Sequence, residues 1–312
     1  MQAPGFRMVT FSVMATRGHQ SGRRGIAAHP DAAPWERRRE VCLRYLQQGG
    51  FDVIGLKHCH LAPGSPRCAV SFLLAGLNRE GDRYGCLNAV VRQAPDDPPQ
   101  GDSLAILYDR RIWELDAARS GEVWHRTAAP EGQPGGHGTL FNFAALRRIV
   151  RQDGLRPSRL HVYNIRMRDK HSRALDLYRA LCFGEILAHM QAQDAPDTPA
   201  VLLCDTNCKV VDSIADRLIR GLPAWVAGLE LRPQMALQDS YLALHPDAHG
   251  RVRTQHNFVD PGSIAGTERN NRILFCGDLE VTSAAISPYS EDGVWPSYHY
   301  PVEAGFRSTS VA

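Results

Sequence analysis

Short apolar runs and longer amphipathic stretches alternate along the chain. Met8 to Met14 (M-V-T-F-S-V-M) carries apolar residues on both faces of an extended segment and predicts a strand. Trp35 to Gln48 has helical periodicity, with Val41, Leu43, Tyr45 and Leu46 among polar residues, and Phe51 to Leu56 follows as a short buried strand. Leu104 to Tyr108 and Trp113 to Leu115 read as paired strands joined by a charged turn, and Gly121 to Gly138, rich in Gly and Pro, reads as a loop. Further strands are predicted at Leu160 to Ile165, Ala200 to Cys204, Ile273 to Cys276 and Val302 to Phe306, with a long amphipathic helix over Ser172 to Gln191. No repeat or linker interrupts this alternation. It predicts two packed sheets with helices outside, an α+β fold in a single domain over residues 1–312.

Composition excludes more than it selects. A hydrophobic content of 43% with 22% charged residues is ordinary for a globular chain. A net charge of +3 is too small for a nucleic-acid footprint, so nucleic acid is not an expected partner. Lys57, Lys170 and Lys209 are the only lysines. This arginine bias fits a GC-rich bacterial genome better than selection for phosphate binding. No stretch approaches the ~20 apolar residues of a membrane-spanning helix, and Met1 to Val9 lacks the apolar run of a secretory signal. The eight scattered cysteines then read as free thiols in a reducing cytoplasm.

The most informative segment lies near the end of the chain, at Trp295-Pro296-Ser297-Tyr298-His299-Tyr300-Pro301-Val302. This resembles the closing P-S-D-H-Y-P-V signature of the endonuclease/exonuclease/phosphatase superfamily, with Tyr298 in place of the aspartate. Other segments resemble its landmarks in the same order: Thr10-Phe11-Ser12-Val13, then Trp35 to Arg38 with Phe51 to His58, Ala105 to Tyr108, and Val162 to Arg166. Leu202 to Asn207, Thr254-Gln255-His256 and Arg269 to Ile273 continue the series. The resemblance implies a four-layer α/β/β/α sandwich of the DNase-I-like type, and phosphodiester cleavage with a divalent cation, usually Mg²⁺.

Position by position, the resemblance also implies that the metal chemistry has been replaced. Ser12 stands for the opening asparagine, His58 for the metal-binding glutamate and Lys57 for the glutamine before it. Arg166 stands for the phosphate-binding histidine, Asn271 for the aspartate that orients the terminal histidine, and Tyr298 for the metal-side aspartate. Asp205, Asn207, Asn164 and His299 remain, with His256 toward the rim. Cations beside one surviving carboxylate repel a dication by a few kcal/mol at an effective dielectric near ~20. The expectation is therefore no metal and no cofactor. A nitrogen–sulfur site of His58, Cys59 and His60 is disfavoured, because alternation along an extended segment turns Cys59 away from both histidines. Cys204 reads as packing.

The replacements can all hydrogen-bond or carry positive charge, which favours a remodelled polar pocket over decay. The expected function is a divergent, metal-independent enzyme acting on a small polar or anionic molecule. Recruitment into bacterial secondary metabolism is the analogy. Asp205, His299, Arg166 and His58 are the catalytic candidates. Lys57, Asn164, Asn207, Ser12, Asn271, Tyr298 and His256 are the binding candidates. Two alternatives stay open: a catalytically dead binding protein that uses the cleft or the Gly121 to Gly138 loop for a protein partner, and a residual phosphodiesterase or phosphatase working through Asp205, Asn207 and His299.

Overall fold

A computed structural model describes residues 5–14, 33–60, 68–90, 102–125, 139–149, 157–167, 173–193, 198–208, 211–226, 229–233, 235–256 and 260–309. The first half of the chain forms β1 (Phe6–Ser12), α1 (Trp35–Gly49), β2 (Val53–His60), α2 (Ala69–Leu77), β3 (Tyr84–Val90), β4 (Asp102–Asp109), β5 (Trp113–Leu115), β6 (Gly121–His125) and β7 (Thr139–Arg148). It continues with β8 (Arg159–Arg166), α3 (Arg173–Gln193), β9 (Ala200–Asp205), α4 (Ile214–Ile219), β10 (Ala224–Val226), β11 (Leu229–Leu231), β12 (Gln238–Asp239) and α5 (Ser240–Leu244). It ends with β13 (Asn271–Cys276), β14 (Leu279–Ile286) and β15 (Val302–Ser308). One sheet has the order β14-β15-β1-β2-β4-β3; the other runs β12-β13-β9-β8-β7-β5, with β6 also on β7.

Side-chain alternation builds four layers from these strands. Phe6, Met8, Val53, Ile106, Val162, Val201, Leu203, Ile273, Val302 and Phe306 face inward and fill the space between the sheets. Their neighbours Val9, Phe11, Ile54, Leu56, Ala105 and Leu107 face outward, beneath the buried stripe of α1 (Val41, Cys42, Tyr45, Leu46) and α2. On the other side Tyr163, Ile165, Leu202 and Leu274 pack against Phe183, Ile186, Leu187 and Met190 of α3. Each such aliphatic or aromatic side chain contributes about 1.5–3 kcal/mol on burial. The result is the expected α/β/β/α sandwich.

Two crossovers place the functional end. β1 and β2 pair in parallel across α1, and β8 and β9 pair in parallel across α3. Near the carboxyl ends of these four strands, the inward face that was apolar turns polar. Thr10 and Ser12 follow Met8, Lys57 follows Val53 and Gly55, Asn164 and Arg166 follow Val162, and Asp205 follows Val201 and Leu203. The antiparallel strand β13 begins at the same end with Asn271, opposite Asp205. The core therefore closes in a polar floor.

Gly55 lets the sheets approach just below this floor. A Cβ there would lie 2.6 Å from Leu203 and 3.1 Å from Asn164 Oδ1. Gly55→Ala should force the sheets apart and cost about 1–3 kcal/mol of stability in chemical denaturation.

Three expectations change. Leu104 to Tyr108 and Trp113 to Leu115 do not pair with each other: β4 lies between β2 and β3, while β5 pairs with β7 in the other sheet. Asp109 turns the chain between them, accepting from the Arg111 backbone and from the Arg83 and Arg111 guanidiniums, so that Trp113 enters the core between the sheets. The segment expected as a loop opens with strand β6, and residues 126–138 lie outside the described residues. Strands β3 and β7 and the edge strand β14 were not anticipated. A register shift between Val281 and Ser283 breaks the alternation of β14.

Candidate functional site

Asp205 is the centre of the polar floor. It is fully buried, with its Cα opposite Arg166 on one neighbour and Asn271 on the other. Ser12 Oγ lies 3.2 Å from both Asp205 Oδ2 and Asn271 Oδ1, so its single proton is shared between two acceptors. His58 reaches the same carboxylate, with Nε2 3.4 Å from Asp205 Oδ2. Regular alternation would turn it outward with Leu56. A register shift between Leu56 and Cys59 and a left-handed backbone at His58 (φ 53°) bring it inward beside Lys57 instead. A bulge re-aims a side chain in this way, and a non-glycine residue at positive φ costs about 1 kcal/mol or more.

His299 arrives from the closing loop. Its backbone N–H donates to Ser297 Oγ at 3.1 Å, and Ser297 Oγ–H donates to the Ser12 carbonyl at 2.6 Å. The His299 and His58 rings stand 6.1 Å apart, 28° from parallel. One nitrogen of each histidine and one Asp205 oxygen all lie within 4.8 Å of one another. Arg38 clamps this loop to the opening strand, donating to the carbonyls of Val13, Met14 and Pro296.

Burial pushes the Asp205 carboxyl up. The hydrogen bond from His58 and the electrostatic influence of His299, His58 and Arg166 outweigh it and hold the group well below the usual carboxylate range. Burial pushes Lys57 down to about 8, opposed by Cys204, Asp205 and Cys59. Lys57 is fully buried and donates to Thr10 Oγ1. Burial raises Cys204 and Cys208 to about 12, which removes both as nucleophiles at neutral pH.

The candidates divide into three groups. Asp205, His58, His299, Ser12, Asn271 and Lys57 share the floor and are buried. Tyr298 and Arg166 are only half-buried, and the Tyr298 ring sits 4.6 Å from His299. Asn164, Asn207 and His256, expected to bind substrate, have other engagements. Asn164 donates both amide protons across the sandwich, to the carbonyls of Leu56 and Ala105. Asn207 (φ 50°) donates to Met167 O and shapes the turn after β9. His256 lies 3.0 Å from Ser297 O and packs on Tyr300 and Trp295, and burial lowers it to about 4. Cys59 points outward into the α1/α2 core, away from His58, because the register shift after Leu56 displaces the alternation there. The side chain of His60 lies outside the described residues.

Sequence reading missed Arg38, Ser297 and Asn142. Asn142 faces Asn164 across β7 and β8 and donates to the carbonyls of Leu87 and Leu104, so the two asparagines tie the sheets together. An asparagine at an inward position of an apolar strand is the signal that could have exposed it.

The hard cation implied by the resemblance does not fit these donors. Mg²⁺ demands near-octahedral oxygen ligands. Among the described residues of the floor, Asp205 is the only carboxylate, its partners are imidazoles, and Lys57 adds a buried ammonium.

No protein-family model and no curated protein matches the chain. Solved structures do. An endonuclease/exonuclease/phosphatase family protein from Bacteroides thetaiotaomicron superposes with a TM-score of 0.65 at 17% identity, over 97% of each chain. The mannosyl-6-phosphatase of the same organism gives 0.62 at 16% identity, over 96% of this chain and 99% of that one. The catalytic domain of human Nocturnin, with bound sulfate, gives 0.63 at 15%, over 98% and 96%. At such identities the likeness speaks for the backbone rather than the chemistry: the chain has the DNase-I-like fold of the endonuclease/exonuclease/phosphatase proteins.

Proposed function

We propose that the chain is a metal-independent enzyme on this fold, moving protons on a small polar or anionic molecule at His58, Asp205 and His299. The observation that carries this reading is Asp205, the only carboxylate among the described residues of the floor, grouped with two imidazoles at the carboxyl ends of the parallel strands. An imidazole oriented by a carboxylate is a proton-transfer unit, and such groups contribute roughly 10²–10⁴-fold to rate. Arg166, half-buried beside Asp205, supplies a planar two-pronged donor for the anionic part of the substrate. Lys57 adds a fixed positive field from below. The solved neighbours include a mannosyl-6-phosphatase and a sulfate-bound domain, so the fold accommodates small anions elsewhere.

The test is a thermal-shift survey of small phosphate, sulfate and carboxylate compounds in EDTA, followed by turnover assays on those that stabilise the protein. Turnover should be the same in EDTA and in Mg²⁺. His299→Ala and His58→Ala should each lower kcat by about a hundredfold or more, and Arg166→Ala should raise KM about tenfold, the loss of one charged hydrogen bond. Stabilisation without turnover would favour a binding protein. Turnover that requires Mg²⁺ would return the hard-cation chemistry of the fold.

A further inference from the structure

The same three side chains form a ligand set of a different kind. We infer that His58, Asp205 and His299 bind a borderline dication, Zn²⁺ or its spectroscopic stand-in Co²⁺, and that its occupation shuts the cleft down. The inhibitory half of this inference rests on the proton-transfer reading above; the binding half does not.

Geometry carries the binding half. Four-coordinate zinc bonds imidazole nitrogen and carboxylate oxygen at about 2.0–2.2 Å, which sets ligand atoms of one shell roughly 3.3 Å apart. His58 Nε2 and Asp205 Oδ2 are already 3.4 Å apart. The third ligand atom lies within 4.8 Å of both, and all three residues are buried. His299 comes from the closing loop, held there through its backbone by Ser297. Two imidazoles and one carboxylate suit zinc and its first-row neighbours, whereas Mg²⁺ is selected against by the same donors. Ser12 Oγ holds the ligating carboxylate and Ser297 Oγ holds the His299 backbone, an outer layer of the kind that orients metal ligands.

A second grouping serves as a contrast. Asp212, Asp216 and His249 also bring ligand atoms together, but Arg220 pairs with both carboxylates and Arg272 with Asp216. Those carboxylates are already neutralised in pairs. At Asp205, by contrast, the bonded partner is an imidazole, which is itself a ligand.

Inhibition follows from valence. A ring nitrogen bonded to zinc has no lone pair for a proton, and a coordinated Asp205 no longer orients His58. Lys57 and Arg166 nearby oppose the dication, so the open coordination position should take up an anion beside Arg166.

The experiment is titration of the metal-stripped full chain with Zn²⁺ by calorimetry and with Co²⁺ by visible absorption, with Mg²⁺ as competitor. The expected result is one ion per chain, a Co²⁺ spectrum of four- or five-coordinate type, no displacement by Mg²⁺, and at least a tenfold loss of affinity in both His58→Gln and His299→Gln. Circular dichroism on both variants separates loss of ligand from loss of fold, and the eight thiols are excluded as ligands if uptake persists after their alkylation. Turnover of a substrate found in the survey should fall with the same midpoint as Zn²⁺ uptake. Absence of uptake, or uptake unchanged in both variants, overturns the site and leaves the functional reading standing. Uptake with increased turnover overturns the inhibitory half and the metal-independent reading together.

Discussion

Asp205→Asn should cost the fold about 3 kcal/mol or more and abolish turnover. The substitution keeps the size of the side chain and removes its charge, leaving Lys57 fully buried without the carboxylate that offsets it. Removing one partner from a buried set of charges typically costs about 3–5 kcal/mol, because the charge left behind has no water to solvate it. The loss should fall mainly on the floor: Ser12 loses an ionised acceptor, His58 its anchor, and Arg166 the charge opposite it. Urea denaturation measures the cost. A loss under about 1 kcal/mol, the range of an exposed pair, would show that water reaches the floor and solvates these groups.

The fold was legible in the sequence for most strands buried on both faces, though β7, whose Ala144 and Leu146 face one core and Phe141 and Phe143 the other, was not among those expected. β1, β2, β8, β9 and β13 read as near-continuous apolar runs because helices cover one side and the second sheet the other. β14 was not legible, since an exposed edge with a bulge keeps no clean period. The pairing of β4 with β5 was misread for a different reason. A charged turn between two apolar runs looks the same whether the chain folds back on one sheet or crosses to the other, and only the burial of Trp113 between the layers distinguishes them.

The site was legible as a set of residue types but not as a set of contacts. Asn164 and Asn142 have the composition of ligand-binding residues and the positions of cross-links. His58 joins the floor only through a bulge that no local pattern announces. Arg38, on a helix whose other inward residues are apolar, was indistinguishable from a surface arginine until the closing loop supplied its acceptors. The grouping of His58, Asp205 and His299 joins residues from three separate parts of the chain, so spacing could not reveal it.

Lys57→Met should stabilise the protein by about 3 kcal/mol at neutral pH while impairing the cleft. Lys57 is the only lysine among the described residues, fully buried, and burial lowers it from 10.5 to about 8. A proton held more weakly in the folded chain than in the unfolded one destabilises the fold wherever both forms carry it. Below about pH 8 the cost is fully present; from there to about 10.5 the folded lysine is neutral, the unfolded one still binds its proton, and the cost is progressively relieved. A displacement of this size corresponds to about 3 kcal/mol. The stability of the wild type should therefore gain on that of Lys57→Met as pH rises through this window, and the two should converge near its upper end. Methionine fills the same volume without a charge to desolvate. The double variant Asp205→Asn/Lys57→Met should be more stable than Asp205→Asn alone, because the stranded ammonium is gone. A Lys57→Met protein less stable than wild type at pH 7, or a difference that does not vary between pH 8 and 10.5, would mean that Asp205 and Thr10 stabilise the ammonium by more than burial costs it. Lys57 would then be a structural element of the floor, and its charge would not be held there for substrate.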